Sequence, residues 1–354
     1  MSPASILKQY YFPDTSIDIK PLGNGLINHT FLVLVDEKKF VLQQININVF
    51  KQPQAIAQNI SLVSNFLEQH HPDYFFIRPV KAGNGDEMIG AADGTYWRLF
   101  PFVEGSHTID VVQTENHAYE AAKQFGLFAK NLSHFPLEKL ATTIPDFHNL
   151  NLRTQQFHSA LQNGNKQRVQ LAATAINELQ NRMHLAQQFN ERIINGQWKQ
   201  RVMHHDTKIS NVLFDANNKA ICVIDPDTIM PGYFFSDAGD MMRTCLSPVS
   251  EEETDLSKII VRDSFFKSIV QGYAEPMGDE LTPQEQKDFV LAGKLMIYMQ
   301  SLRFLTDFSN NDVYYGARYE LHNYNRALNQ IELLKRAEEK EEEWSRWLLE
   351  YFNL

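Results

Sequence analysis

Cysteine is nearly absent from this chain of 354 residues: only Cys222 and Cys245 occur, each in an apolar stretch. No disulfide framework can be built from that pair, and reduced core thiols suit a cytoplasmic protein. Positive charge is in deficit, 33 Lys and Arg against 43 Asp and Glu, for a net charge of −10. A nucleic-acid partner demands a basic face, so that class is set aside. No apolar run is long enough to cross a bilayer, and a membrane role goes with it. The opening residues Met1–Tyr10 lack the basic segment and apolar core of a secretion signal. Internal repeats and low-complexity linkers are missing too. What remains is a globular chain of ordinary composition, with enough residues for two lobes around a substantial core.

The most informative stretch is Met203-His204-His205-Asp206-Thr207-Lys208-Ile209-Ser210-Asn211, followed by the apolar run Val212-Leu213-Phe214. The order His204-x-Asp206-x-Lys208-x-x-Asn211 is that of a phosphoryl-transfer catalytic loop. Asp206 can orient an acceptor hydroxyl and take its proton. Lys208 is a compact positive charge within reach of a moving phosphoryl group. Asn211 offers a neutral oxygen to a metal ion, while His204 shapes the loop. A lone His-Asp pair would be an ordinary capped turn. Four spaced residues and a second acidic motif make that plainer reading inadequate.

The second motif is Ala220-Ile221-Cys222-Val223-Ile224-Asp225-Pro226-Asp227. A β-branched run ending in carboxylates is a good post for Mg²⁺, which prefers hard oxygen ligands. The spacing predicts a hairpin of 212–215 and 220–224 that brings Asn211 and Asp225 towards one point.

Earlier in the chain, Gly23-Asn24-Gly25 sits between two predicted strands, where glycines allow backbone to approach a ligand closely. Such a turn covers nucleotide phosphates in kinases, although any hairpin can carry one. The next strand, 40–45, should hold a phosphate-contacting lysine and has Gln43 instead. The helix expected over 54–70 has one carboxylate, Glu68, near its end. A lysine–glutamate pair is therefore missing, and either another cation neutralises the phosphates or the nucleotide is bound differently. Strands are expected over 75–81, 88–91 and 95–103. Phe102 and Glu104 fall at the hinge position expected to meet an adenine base.

Beyond Gly105 the periodicity becomes helical, with helices expected over 115–133, 153–163, 167–195, 255–273, 282–309 and 324–352. Another opens near Ser236 or Asp237, one of which can cap it. Asp237 or Asp240 can instead brace the catalytic loop. Thr282-Pro283-Gln284-Glu285 carries a capping-box pattern. The acidic run 338–343 reads as a solvated helix face. The resulting fold class is α+β: a small antiparallel-sheet lobe over 1–104 and a larger, mainly helical lobe over 105–354.

These residues resemble the aminoglycoside phosphotransferase and choline kinase superfamily, which shares the bilobal protein-kinase-like fold. The resemblance runs over nearly the whole chain and is densest at 23–30, 40–46, 204–215, 224–232, 303–307 and 312–323. Asp225-Pro226-Asp227-Thr228-Ile229-Met230-Pro231-Gly232 and the late Arg and Tyr segments are similar to the sugar 1-kinase branch, the N-acetylhexosamine 1-kinases. That branch also lacks the strand lysine. The resemblance implies ATP and Mg²⁺ as cofactors and a small-molecule acceptor, a sugar, as partner. It implies Asp206 as base, Lys208 as phosphate contact, and Asn211 and Asp225 as metal ligands. Gly23, Asn24, Gly25, Phe102 and Glu104 would meet the nucleotide. Arg303, Tyr314, Tyr315 and Asp227 would meet the acceptor. Leu26 departs from the pattern, standing where those kinases carry a sugar-contacting histidine. Aminoglycoside, choline or homoserine kinases are the alternatives within the fold, and a catalytically dead nucleotide-binding module is the alternative outside enzymes.

Overall fold

The computed structural model describes residues 1–10, 12, 16–23 and 27–354. Asn24 and Gly25 of the glycine turn, and Leu26 after it, lie outside the described residues. The chain opens with α1 (Pro3–Leu7), capped by the Ser2 hydroxyl. Five strands follow: β1 (Ile17–Pro21), β2 (His29–Val35), β3 (Lys38–Ile45), β4 (Ile89–Gly90) and β5 (Tyr96–Pro101). They pair antiparallel in the order β1-β2-β3-β5-β4.

Alternation along the strands divides the sheet into two faces. Val33, Val35, Leu42, Trp97 and Leu99 pack against Ile6, Leu7 and Tyr10. On the other face Ile45 and Tyr96 meet Ile56 and Ile60 of α2 (Pro53–His70). That face also carries Thr30, Gln43 and Arg98 in register across β2, β3 and β5. A polar row under a buried sheet must find partners, and the outermost, Arg98, finds one on the other lobe in Asp227. The strand expected over 75–81 does not form. Pro79 removes a ladder donor there, and the segment follows β5 with a bond from Val80 N–H to Leu99 O, 2.7 Å.

After Pro101 the chain enters the helical part. Its helices are α3 (Glu115–Asn131), α4 (Leu150–Asn163), α5 (Lys166–Leu171), α6 (Ala173–Gln180), α7 (His184–Ile194), α8 (Phe234–Cys245), α9 (Asp263–Met277), α10 (Pro283–Lys287), α11 (Phe289–Ser309), α12 (His322–Glu339) and α13 (Glu341–Phe352). Between α7 and α8 lie β6 (Gln200–Met203), β7 (Val212–Phe214), β8 (Ala220–Val223) and β9 (Met230–Tyr233), paired β6–β9 and β7–β8. α11 is buried along nearly its whole length and forms the axis of this lobe. α3 and α9 cross closely because Gly126 and Gly272 sit at the contact.

Three expected helices are broken in the structure, each where a side chain bonds elsewhere. The 167–195 segment becomes three helices, and Arg182 at the second break grips Glu178 and Glu338. The 282–309 segment divides at Asp288, whose carboxylate accepts from Arg192 Nε (2.6 Å) and Trp198 Nε1 (2.9 Å). The 324–352 segment divides at Lys340, which pairs with Asp263. The acidic run is accordingly not a solvated face throughout, since Glu341 holds the buried Lys294 at 2.6 Å. The capping box at Thr282 forms, and its Glu285 is fully buried against Arg201 of β6. No helix among the described residues is long and apolar enough to cross a membrane.

Candidate active site

β6 delivers the loop 204–211 to the cleft between the sheet and the helices. α8 holds that loop from beneath. Asp237 accepts the backbone N–H groups of His204 (3.0 Å) and His205 (2.8 Å), and Asp240 accepts that of Thr207 (3.1 Å). Thr207 Oγ1 donates to Asp237 O, and Thr228 Oγ1 donates to His204 O. Bracing, not capping, is therefore what the α8 carboxylates do, since the cap residue Tyr233 makes no side-chain bond. His204 is fully buried and bonds Ile224 O through Nε2 at 2.9 Å. That contact fixes the loop to the end of β8. His205 takes a left-handed backbone, φ +67°. A Cβ at Gly232 would collide with the His205 ring, which explains the glycine in the Met230-Pro231-Gly232 run.

Asp206 is the centre of the loop. Its Oδ2 accepts from Lys208 Nζ and from Asn211 Nδ2, both at 2.9 Å. Burial alone would raise its pKa, but the Lys208 ammonium beside it holds the carboxyl below its usual range. Asp206 is thus ionised at neutral pH. The predicted hairpin forms, and Ile224 N–H donates to Asn211 O at 2.8 Å, placing Asp225 beside Asn211. Asp225 also has a left-handed backbone, φ +59°. Burial, and then the neighbouring Asp227, push its carboxyl up to about 7. A desolvated carboxylate beside other carboxylates suits a divalent cation. Asn211 spends its amide nitrogen on Asp206, which leaves its oxygen as a neutral ligand. Among the described residues no group of three or more His, Cys, Asp or Glu could hold a metal. Two hard oxygen donors fit an ion that draws its remaining ligands from phosphates and water.

The expected hinge residues are partly committed within the protein. Phe102 N–H donates to Lys39 O at 3.2 Å, and Glu104 pairs with Lys39 Nζ at 3.0 Å. Gly23 has φ +69° and lies just past β1. Asp227, expected at the acceptor, is 2% exposed; one oxygen accepts a hydrogen bond and the other has only an ion-pair contact. Oδ1 lies against Arg98 Nη1, and Oδ2 accepts from Asn28 Nδ2 at 2.7 Å.

The remaining expected acceptor residues converge. Arg303 of α11 stacks its guanidinium over Phe147, Tyr314 and Tyr315, with centroids 5.6, 5.7 and 5.4 Å away. It does not pair with Asp307. That carboxylate instead accepts the backbone N–H groups of Tyr314 (2.7 Å) and Tyr315 (2.8 Å) and so shapes the loop. Phe147 stacks on His148, whose Nδ1 lies 3.4 Å from His205 Nδ1. The catalytic loop and Arg303 are in this way joined through residues 147 and 148. Arg153 holds that segment by donating to the carbonyls of Asp146 (2.8 Å) and Phe147 (3.2 Å). Burial, and then the charge of Arg303, lower the Arg153 pKa. Phe147, His148 and Arg153 stand alone in the sequence and carry no motif. Arg98 did carry a signal, a charge inside the apolar strand Tyr96-Trp97-Arg98-Leu99-Phe100.

A five-stranded sheet over a helical lobe, with a His-x-Asp-x-Lys-x-x-Asn loop in the cleft, defines the class as a kinase-like phosphotransferase. The chain belongs to the phosphotransferase enzyme family, whose model matches residues 18–273. Solved structures share the fold at low identity. An aminoglycoside phosphotransferase from Alicyclobacillus acidocaldarius is 12% identical, with a TM-score of 0.66 over 100% of this chain and 97% of that one. A microcompartment-associated aminopropanol kinase is 16% identical, with a TM-score of 0.62 over 96% of each chain. An amicoumacin kinase solved with AMP-PNP and Ca²⁺ is 11% identical, with a TM-score of 0.57 over 97% of this chain and 94% of that one.

Proposed function

We propose that this chain transfers the terminal phosphoryl group of ATP, with Mg²⁺, to the anomeric hydroxyl of a sugar such as an N-acetylhexosamine. The small lobe, 1–104, would hold the nucleotide, with Gly23, Phe102 and Glu104 near it. The large lobe, 105–354, would supply the chemistry and the acceptor site. Asp206, ionised and fixed by α8, accepts the proton of the attacking hydroxyl. Lys208 lies at the same carboxylate and presents its charge to the transferring group. Asn211 and Asp225 would hold the metal, which offsets the charge on the phosphate oxygens. An anomeric hydroxyl is more acidic than other sugar hydroxyls, so its pKa mismatch with a carboxylate base is smaller.

The observation that carries the acceptor class is Arg303. Among the described residues it has no carboxylate within salt-bridge distance, and it contacts Tyr314, Gln300 and three aromatic rings. Its charge is felt by Arg153 and His148. A wall of unpaired guanidinium repels an amine-bearing acceptor and welcomes neutral oxygens, for which a planar fork of donors is well suited. The fold neighbours named for aminoglycosides and aminopropanol make a cationic acceptor the second reading. ATP consumption separates the two. The panel is N-acetylglucosamine, N-acetylgalactosamine, glucose and galactose against choline, homoserine, aminopropanol and an aminoglycoside. Turnover of a sugar, giving a phosphate lost in mild hot acid, is expected. Turnover confined to the amines would overturn the acceptor class, and an acid-stable sugar phosphate would overturn the anomeric position.

A further inference from the structure

We infer that Arg98 and Asp227 form a relocated counterpart of the missing strand-lysine and helix-glutamate pair, and that this ion pair positions the sheet and Asn28, just before β2, against the metal segment. The inference rests on the reading that the cleft binds a metal–nucleotide complex. It goes beyond that reading by naming residues that no motif assigns.

Gln43 stands at the lysine position of β3, and its register partner on β5 is Arg98. Gln43 Oε1 accepts from Arg98 Nε (3.0 Å) and Nη2 (2.8 Å). Two bonds to one oxygen fix the plane of the guanidinium, and Nη1 comes to lie in ion-pair contact with Asp227 Oδ1, without a directed hydrogen bond between them. Arg98 is fully buried. A charge so placed needs its partner, because one left alone in a dry interior is strongly unfavourable. α2 offers no such partner. Its Glu68 is at the exposed end, bound to Arg78. In mid-helix stands Asn59, which donates to Ile229 O (2.9 Å) and Ala141 O (2.8 Å).

Arg98 and Asn59 thus both reach the helical lobe, and they meet it at residues 227 and 229. Asp227 is two residues beyond Asp225, within the 3₁₀ turn Pro226–Thr228. On its other side Asp227 accepts from Asn28, whose Oδ1 takes the Asn46 N–H at 3.0 Å. Asn28 lies between the glycine turn and β2. The carboxylate of Asp227 therefore ties three things at one point: Asn28 just before β2, the sheet beneath the nucleotide position, and the segment bearing Asp225. The pair is a positioning device. It does not itself touch the phosphates in this geometry.

The test uses binding of Mg·AMP-PNP to the full chain, which needs no acceptor, together with thermal unfolding. Arg98→Met and Asp227→Asn each leave one buried polar group unmatched and can fail to fold. The double variant Arg98→Met/Asp227→Asn leaves no lone charge, and Arg98→Lys keeps the charge without the fork. In the folded variants we expect Mg·AMP-PNP affinity to fall by about tenfold or more, the scale for groups that act on a metal through its ligands. With an acceptor supplied, KM for ATP rises while KM for the acceptor is unchanged. The double variant should be no worse than the worse single, as for two halves of one unit. Wild-type affinity in the folded double variant and in Arg98→Lys, with only the unfolding temperature lowered, would reduce the pair to a structural tie and overturn the inference. Failure of the wild-type chain to bind Mg·AMP-PNP would instead overturn the nucleotide reading on which it stands.

Discussion

Single residues at the catalytic loop carry two expectations. Asp206→Asn keeps shape and removes the proton acceptor. Turnover should fall by roughly 10²–10⁴-fold, the range for loss of a general base, with nucleotide affinity little changed. Near-normal kcat in a steady-state assay would take Asp206 out of the mechanism. His205 makes a different claim. Burial is the main cause that lowers its pKa to about 4 from the ordinary 6.5. Between those values the unfolded chain binds the proton and the folded chain does not. Stability is therefore complete above about pH 6.5 and falls as the medium is acidified towards pH 4, by on the order of 3 kcal/mol from this ring. Urea unfolding at a series of pH values reads the slope. His205→Asn, which tolerates the left-handed backbone, should flatten it. An unchanged slope in that variant would assign the acid sensitivity to other groups.

Elements differ in how openly the sequence announces them. The catalytic loop and its hairpin were legible because their residues are consecutive and their spacing is chemical. The capping box at Thr282 was legible for the same reason. Breaks at Asp288 and Lys340 were not, because the helical period continues through both and only distant partners end the helices. The aromatic cluster around Arg303 was half legible. Arg303, Tyr314 and Tyr315 came from resemblance, while Phe147, His148 and Arg153 reach them only through the fold. The absence of a lysine at Gln43 could be read, but its replacement on a neighbouring strand needed the register of the sheet. The crossing of α3 and α9 gives an expectation of its own. A Cβ on Gly272 would run into the Tyr119 backbone carbonyl. Rigid backbone cannot yield as a side-chain tip can, so Gly272→Ala should cost about 1–3 kcal/mol of unfolding free energy. A variant as stable as wild type in urea would show that the two helices can part without penalty.

At the scale of the whole molecule, the two lobes meet through buried polar contacts. Asn59, Asn28 and Arg98 reach across from the small lobe, and Ala141, Asp227 and Ile229 receive them. Two of these three receivers lie within a few residues of Asp225. Under the proposed function this fastening constrains the working cycle. A cleft that widens to let a spent nucleotide out cannot pivot freely about the expected hinge at residues 102–104 alone. It must pull on the short turn that carries the metal ligand, because the small lobe is fastened there. Widening the cleft and disturbing the metal seat then become a single movement. The ion and the nucleotide would leave together, and a new metal–nucleotide complex would have to arrive together. In such a machine the order of departure is set by mechanics and not by the separate affinities of the two ligands.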